Sequence, residues 1–244
     1  MKPEHIILEG VTGSVAYGLN TKDSDEDIKG VYLLHTNDVL KLGFNPDRTT
    51  KDHVDPDWVY HELQKFMKLA VQANPTILEL LFLDEYRILD EHGKMLVKNR
   101  EAFLSNTVYH SYGGYALSQA RKLNSRDKDG VSGYSSRLKN RYAKHTRHTY
   151  RLLWQGKQLL ETGTLTVKVP KDIREELFWL GEQPVDVVID RFEQEFKDFD
   201  KIKSVLPDKP DIDKINQLLL DIRRANLFYP NRVPGGWITH GQIK

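Results

Sequence analysis

Residues 10–31 read GVTGSVAYGLNTKDSDEDIKGV. An approach of strand character runs into Gly13-Ser14, ten residues follow, and Asp25-Glu26-Asp27 leads straight into a second strand-like run. In extended backbone, residues two apart project from the same side, so Asp25 and Asp27 present two carboxylates together while Glu26 points away. Such a pair suits a hard, oxygen-coordinated cation such as Mg²⁺, which takes one or two protein carboxylates and completes its shell with water and substrate phosphates. Gly13 permits close backbone approach, and the Ser14 hydroxyl with the amides of a helix start can receive phosphate oxygens. Taken singly, a Gly-Ser turn or an acidic loop end recurs by chance; the ordered combination is what constrains the chain. It places metal and phosphate between two neighbouring strands.

Around this segment the first third reads as α/β. Ile6-Ile7-Leu8 and 28–34 have the length and composition of strands, and 54–60 supplies a third in spite of Pro56. From His61 onward, Leu63, Phe66, Met67, Ala70 and Val71 fall on one helical face, and Asn74-Pro75 closes that helix. Helical spacing then predicts helices over 93–104, 109–123, 137–161, 171–180, 185–202 and 212–227. The expected fold is α/β in the α+β sense: a core with a small mixed sheet over 1–88, a helical domain over 89–228 and a C-terminal tail over 229–244. The polar or Gly- and Pro-containing stretch 124–136 reads as a mobile loop.

Composition excludes several classes. The 244 residues, 39% of them apolar, can bury a core, and 36 basic residues nearly cancel 35 acidic ones, so no chain-wide field favours nonspecific nucleic-acid or membrane binding. Without cysteine there is no disulfide, thiolate metal site or cysteine nucleophile, and any metal must use oxygen or imidazole. Neither a signal-peptide pattern nor some 18 consecutive apolar residues occurs, which sets the expectation of a cytoplasmic protein with no membrane partner.

The helix expected over 137–161 carries a second candidate surface. At about 100° per residue, Lys144, His148, Arg151 and Gln155 share one sector beside an apolar face of Leu152, Leu153, Leu159 and Leu160. Two readings stand: a solvated helix side, or a cleft wall where Lys144 or Arg151 offsets charge developing on a leaving pyrophosphate. His145 falls inside the apolar sector, as a core or orienting histidine. Its spacing from His148 suits a metal pair, but no nearby third ligand compels zinc. The basic stretches 122–126 and 137–147, with Tyr134 and Tyr142 interleaved, fit a nucleic-acid surface and an ordinary solvated surface equally well.

The chain resembles the polymerase-β-like nucleotidyltransferase superfamily, and within it a bacterial and phage group of predicted nucleotidyltransferases. Gly13-Ser14-Val15-Ala16-Tyr17-Gly18 matches that group's G-S-x-A-Y-G, and Ser24-Asp25-Glu26-Asp27-Ile28-Lys29-Gly30-Val31 its S-D-x-D-x-K/R-G-V. Glu62-Leu63-Gln64-Lys65-Phe66, Asn74-Pro75, Leu78-Glu79-Leu80-Leu81 and the stretch from Lys144 to Leu153 continue the similarity.

The resemblance implies a two-metal site in which Asp25 and Asp27 bind Mg²⁺, with Mn²⁺ as a substitute, and a third carboxylate helps activate an attacking hydroxyl. Five residues before Glu62-Leu63, that acid falls on Asp57, although Asp52, Asp55 and Glu62 are neighbouring carboxylates. Gly13, Ser14, Lys144, His148 and Arg151 are the implied nucleotide contacts. Glu26 stands where the wider superfamily often has an apolar residue, and is expected to face solvent or a basic neighbour. The implied reaction moves a nucleoside monophosphate from an NTP, ATP included, to a hydroxyl acceptor with release of pyrophosphate. The acceptor stays open among an RNA or tRNA 3′ end, a protein hydroxyl and a small molecule; for a phage-encoded chain the compartment is the host cytoplasm. Two rivals remain: a non-catalytic nucleotide- or RNA-binding regulator on the same fold, and an RNA-cleaving role for the histidine-containing helical half.

Overall fold

Strand-forming residues gather in the first third of the chain, where β-branched and aromatic side chains alternate with small or polar ones. In the computed structural model, which describes residues 2–126 and 136–227, they form β1 (Ile6–Thr12), β2 (Asp27–Tyr32), β3 (Lys51–Val54), β4 (Asp57–Glu62) and β5 (Ile88–Leu89). One mixed sheet results, in the order β3-β4-β2-β1-β5. β1 runs antiparallel to β2 with Thr12 opposite Asp27, and β4 runs parallel to β2 with Ile28 opposite Trp58. One step back along both parallel strands, Asp27 and Asp57 stand at the same level.

The helices are α1 (Gly13–Ala16), α2 (Thr36–Val39), α3 (Leu63–Val71), α4 (Pro75–Leu81), α5 (Glu91–Lys98), α6 (Thr107–Arg126), α7 (Ser136–Thr162), α8 (Lys171–Leu180), α9 (Val185–Phe199) and α10 (Ile212–Leu227). Local chemistry starts several of them. The Asn74 side chain accepts from the Thr76 amide at 3.1 Å and Pro75 takes the first helical position, where a missing N–H costs nothing. One hydrophobic cluster runs from Ile7 and Leu8 on β1 through Phe66, Leu96, Tyr112, Leu152 and Phe199 to Ile222 on α10. A smaller one, made by Ile28, Tyr32, Trp58 and Tyr60, covers the other face of the sheet. There the Tyr60 ring crosses Gly30, where a Cβ would come within 2.6 Å of it, and its hydroxyl donates to buried Glu9 at 2.5 Å.

Several elements differ from the sequence expectation. The strand expected over 54–60 is a hairpin, with exposed β3 as its outer strand and the cis Asp55–Pro56 peptide in its turn. Pro56 therefore interrupts no ladder. The helix expected from His61 begins at Leu63, and the one over 93–104 divides into α5 and a 3-10 turn, Arg100–Phe103. The expected boundary at 88/89 falls inside β5, which pairs with β1 through Leu8 and Leu89. α10 also returns to the first part of the chain: Arg223 pairs with Glu62 at 2.6 Å, and Asn226 donates to the Leu34 carbonyl at 3.0 Å. α6 continues through Arg126 and α7 begins at Ser136; residues 127–135 of the expected loop, and the tail at 229–244, lie outside the described residues. Among the described residues no helix is long and apolar enough to cross a membrane.

Candidate active site

Gly13 joins β1 to α1 with φ of +66°, in the left-handed region that favours glycine. A Cβ placed there would lie 1.8 Å from Oδ2 of Asp27, so backbone conformation and side-chain contact both require the glycine. Thr12 Oγ1 donates to the Asp27 carbonyl at 3.2 Å, closing the junction from the strand side. The half-buried Ser14 follows, and the first amides of α1 have no acceptor within the helix. Tyr17 ends the turn: its hydroxyl donates to Glu79 Oε2 at 2.6 Å, and its carbonyl accepts from Val169 N at 3.1 Å. Arg174 Nε reaches the Gly18 carbonyl at 2.7 Å. Two distant parts of the chain, Glu79 and the segment 169–174, thus hold this turn in place.

The carboxylates of Asp27 and Asp57 meet across the parallel strands. Burial raises the proton affinity of Asp27, a hydrogen bond and like charge from Asp57 raise it further, and Lys144 and Lys29 oppose the rise. Two adjacent carboxylates that resist simultaneous ionisation invite either a shared proton or a cation. Asp25 lies exposed in the loop before β2, and the three carboxylates do not all lie within 4.8 Å of one another. Glu26 turns away, as its place between them dictates, and pairs with Arg87 at 2.6 Å. Of the other nearby acids, Asp52 and Asp55 are exposed on the β3–β4 hairpin. Glu62 is fully buried, caps α3 through the Gln64 amide at 2.9 Å and pairs with Arg223. Asp57 is the one that stands beside Asp27.

The polar stripe on α7 divides, so neither reading of it holds along its whole length. Lys144 is exposed at the end facing Asp27, on which its charge acts. Arg151 and Gln155 are buried. The Arg151 guanidinium lies 3.6 Å from the Tyr17 ring centroid, with Nη1 3.7 Å from Glu79 Oε2, and it donates to Gln155 Oε1. Lys29 Nζ reaches Glu79 Oε1 at 3.5 Å. A charge is tolerated in a core only when paired, and Glu79, 1% exposed, is the partner that lets Arg151 turn inward. Arg151 therefore meets protein groups here in place of the expected triphosphate.

His148 is half-buried, its Nδ1 3.2 Å from Arg151 Nη2. Burial, then the charges of Arg151, His145, Lys29 and Lys144, pull it down to about 3, so it is neutral and accepts at Nδ1. That environment gives no support to proton transfer by His148 in RNA cleavage. His145 is half-buried, and the two histidines belong to no group of three metal-ligating side chains among the described residues. Tyr142 donates to the Gln183 carbonyl at 3.2 Å, while Tyr134 lies outside the described residues.

Tyr17, Lys29 and Glu79 sit inside recognisable motifs, yet sequence reasoning gave them no role. Two signals were available: a lone acid in the apolar run 77–83, and a lysine two residues along the strand from Asp27. Each marks a charge needing a partner, though neither says which.

Comparisons with known proteins add to this geometry. Residues 2–221 match the family described as RNA repair pathway DNA polymerase beta family, or RlaP. A protein of Enterobacteria phage T4, named "Uncharacterized 38.9 kDa protein in nrdC-mobD intergenic region", is 28% identical over 130 residues, 48% of this chain and 38% of that protein. The chain thus spans little more than a third of that relative. A crystal structure of a nucleotidyltransferase-like protein from Exiguobacterium sibiricum 255-15 aligns over 91% of this chain and 75% of its own at 12% identity. Its TM-score of 0.31 is too low to carry an argument.

Proposed function

The chain belongs to the RNA repair pathway DNA polymerase beta family, and on that premise we propose that it transfers a nucleoside monophosphate from an NTP to a hydroxyl, releasing pyrophosphate. One observation carries the reading. The Asp27 carboxylate is pressed between the Asp57 carboxylate and the bare backbone of Gly13, which supports a cation site and a phosphate turn sharing one wall.

The donor set fits Mg²⁺, with Mn²⁺ as a substitute: hard oxygens, half-buried at Asp27 and exposed at Asp25 and Asp57, with a carboxylate pair whose mutual repulsion a cation relieves. Asp25, Asp27 and Asp57 are the residues that would hold it. When bound, two such ions neutralise triphosphate oxygens and lower the pKa of a coordinated hydroxyl.

The remaining roles fall to the chain itself. The Ser14 hydroxyl and the opening amides of α1 receive phosphate oxygens. Asp57 takes the proton of the attacking hydroxyl. Lys144 balances charge gathering on the departing pyrophosphate, and Lys29 favours ionised Asp27. Arg151 and Glu79 act as positioning residues, fixing Tyr17 and through it the turn.

The family description supports RNA as the acceptor, and its 3′ hydroxyl is the group we propose to be extended. Purified protein with Mg²⁺, each labelled NTP in turn and an RNA bearing a free 3′ hydroxyl should yield extended RNA and pyrophosphate, and Asp25→Ala and Asp27→Ala should abolish both. Turnover that survives those substitutions would remove the mechanism. Tight NTP binding, with no pyrophosphate from RNA, protein or small-molecule acceptors, would establish the non-catalytic regulator in its place.

A further inference from the structure

We propose that His5, Asp90 and His92 form a second metal site, separate from the carboxylate pair, that binds one zinc-class ion and clamps the start of β1 to the start of α5. His5 immediately precedes β1, Asp90 caps α5, and His92 lies in its first turn. One ligand atom from each lies within 4.8 Å of the other two, an arrangement no other three such side chains achieve among the described residues.

Asp90 divides its oxygens between two tasks. Oδ1 accepts from the Gly93 amide at 2.8 Å, which caps the helix and fixes the carboxylate plane. Oδ2 faces both imidazoles, 3.6 Å from His5 Nε2 and 3.5 Å from His92 Nδ1. Those separations are longer than an ordinary hydrogen bond and within ion-pair reach. They approach the edge of a tetrahedron: ligand arms of about 2.0–2.1 Å imply neighbouring ligand atoms about 3.3–3.4 Å apart.

Two imidazoles and one carboxylate suit zinc, whereas Mg²⁺ and Ca²⁺ prefer oxygen alone. The His92 side chain is 11% exposed, while those of His5 and Asp90 are about one-third exposed, so the site has an inner wall and an open side for entry and a fourth, water ligand. The Asp90 amide donates to the Ile7 carbonyl at 3.1 Å, which already registers α5 against β1. A bound ion would make that junction rigid. The length of β1 puts this site on the order of 20 Å from Gly13, so its occupancy can be read apart from the carboxylate pair.

The test uses tag-free full-length protein carrying Asp27→Asn, which weakens cation binding at the carboxylate pair, stripped with chelator and desalted. Titration with Co²⁺ should give visible absorption of tetrahedral type that saturates at one equivalent and is displaced by Zn²⁺. Zn²⁺ at about 100 times its Kd should raise Tm by roughly 5–10 °C. His92→Gln should remove both signals; if that variant does not fold, His5→Gln on the open side should weaken binding at least about tenfold. Absence of both signals in the parent protein, or undiminished binding in the histidine variants that fold, overturns the site.

Discussion

The Oδ2 atom of Asp27 stands 1.8 Å from the point where a Cβ on Gly13 would sit. The Gly13 turn and the Asp27–Asp57 carboxylate pair are therefore one construction, in which neither Gly13 nor Asp27 can change shape without displacing the other. Gly13 and Asp27 are fourteen residues apart, yet the antiparallel pairing of Thr12 with Asp27 brings them into contact.

Gly13→Ala should cost about 1 kcal/mol of stability from its left-handed backbone, and on the order of 100-fold in pyrophosphate release from the displaced carboxylate. Gly43 is the control. It too has positive φ, +88°, but a Cβ there meets nothing within 4 Å, so Gly43→Ala should lose stability and leave turnover per folded molecule unchanged. Equal activity losses in the two variants would sever the link between the turn and Asp27.

Asp57 and Glu62, five residues apart, should behave oppositely. Asp57→Asn removes a like charge beside Asp27, so Tm should hold or rise while turnover falls about 100-fold or more. Glu62→Gln leaves Arg223 buried without its carboxylate and should cost about 3 kcal/mol, with turnover per folded molecule near normal. Thermal unfolding and a pyrophosphate assay on the same preparations separate the two roles; a stable, inactive Glu62→Gln would reverse the assignment.

The divided stripe on α7 makes a similar contrast. Lys144→Ala should raise KM for the NTP about tenfold with Tm within about 1 °C of the parent, since Lys144 is exposed. Arg151→Ala should destabilise by about 3–5 kcal/mol by stranding Glu79 in the core. Pairing Arg151→Met with Glu79→Gln should recover part of that loss, because no buried carboxylate is then left to neutralise. An Arg151→Ala protein with unchanged Tm and weakened NTP binding would show that the guanidinium reaches substrate after all.

Acid should destabilise the fold through two histidines. Burial is the leading cause of depression in both: His148 sits at about 3 and His61 at about 4, against 6.5 for the ordinary side chain. Below pH 6.5 the unfolded chain therefore binds more protons than the folded one, and stability rises with pH until both states are neutral. Their contribution is complete above about pH 6.5 and is lost as pH falls towards 4 for His61 and towards 3 for His148. Thermal unfolding between pH 5.0 and 6.5 should show a shallower pH dependence in His148→Gln and in His61→Gln than in the parent. Identical slopes would mean that neither imidazole is held neutral by the fold.

Much of the site was legible because its parts are local. A glycine in a strand-to-helix turn, a serine at the helix start and acids two apart are each specified by a few neighbouring residues. The long helices were legible for the same reason: apolar periodicity over many residues identifies a buried face whatever it meets. Asp57 was harder, with Asp52, Asp55 and Glu62 equally close in sequence. What separates them is the parallel register of β2 and β4, a pairing between segments thirty residues apart, together with the local β3–β4 hairpin that puts Pro56 in a turn.

The sequence by itself determined the order of elements, the inward faces of the helices and the strand-to-helix turn at Gly13-Ser14, since each follows from backbone geometry and local polarity. Tertiary structure alone decided which charges would be buried. Arg151 reads as surface because burying a guanidinium is prohibitive without a partner, and its partner, Glu79, lies seventy-two residues earlier on another helix. The same rule sends Glu62 to Arg223 on α10 and leaves Asp57 facing Asp27. Local pattern states that a charge requires compensation; only the packed chain determines what supplies it.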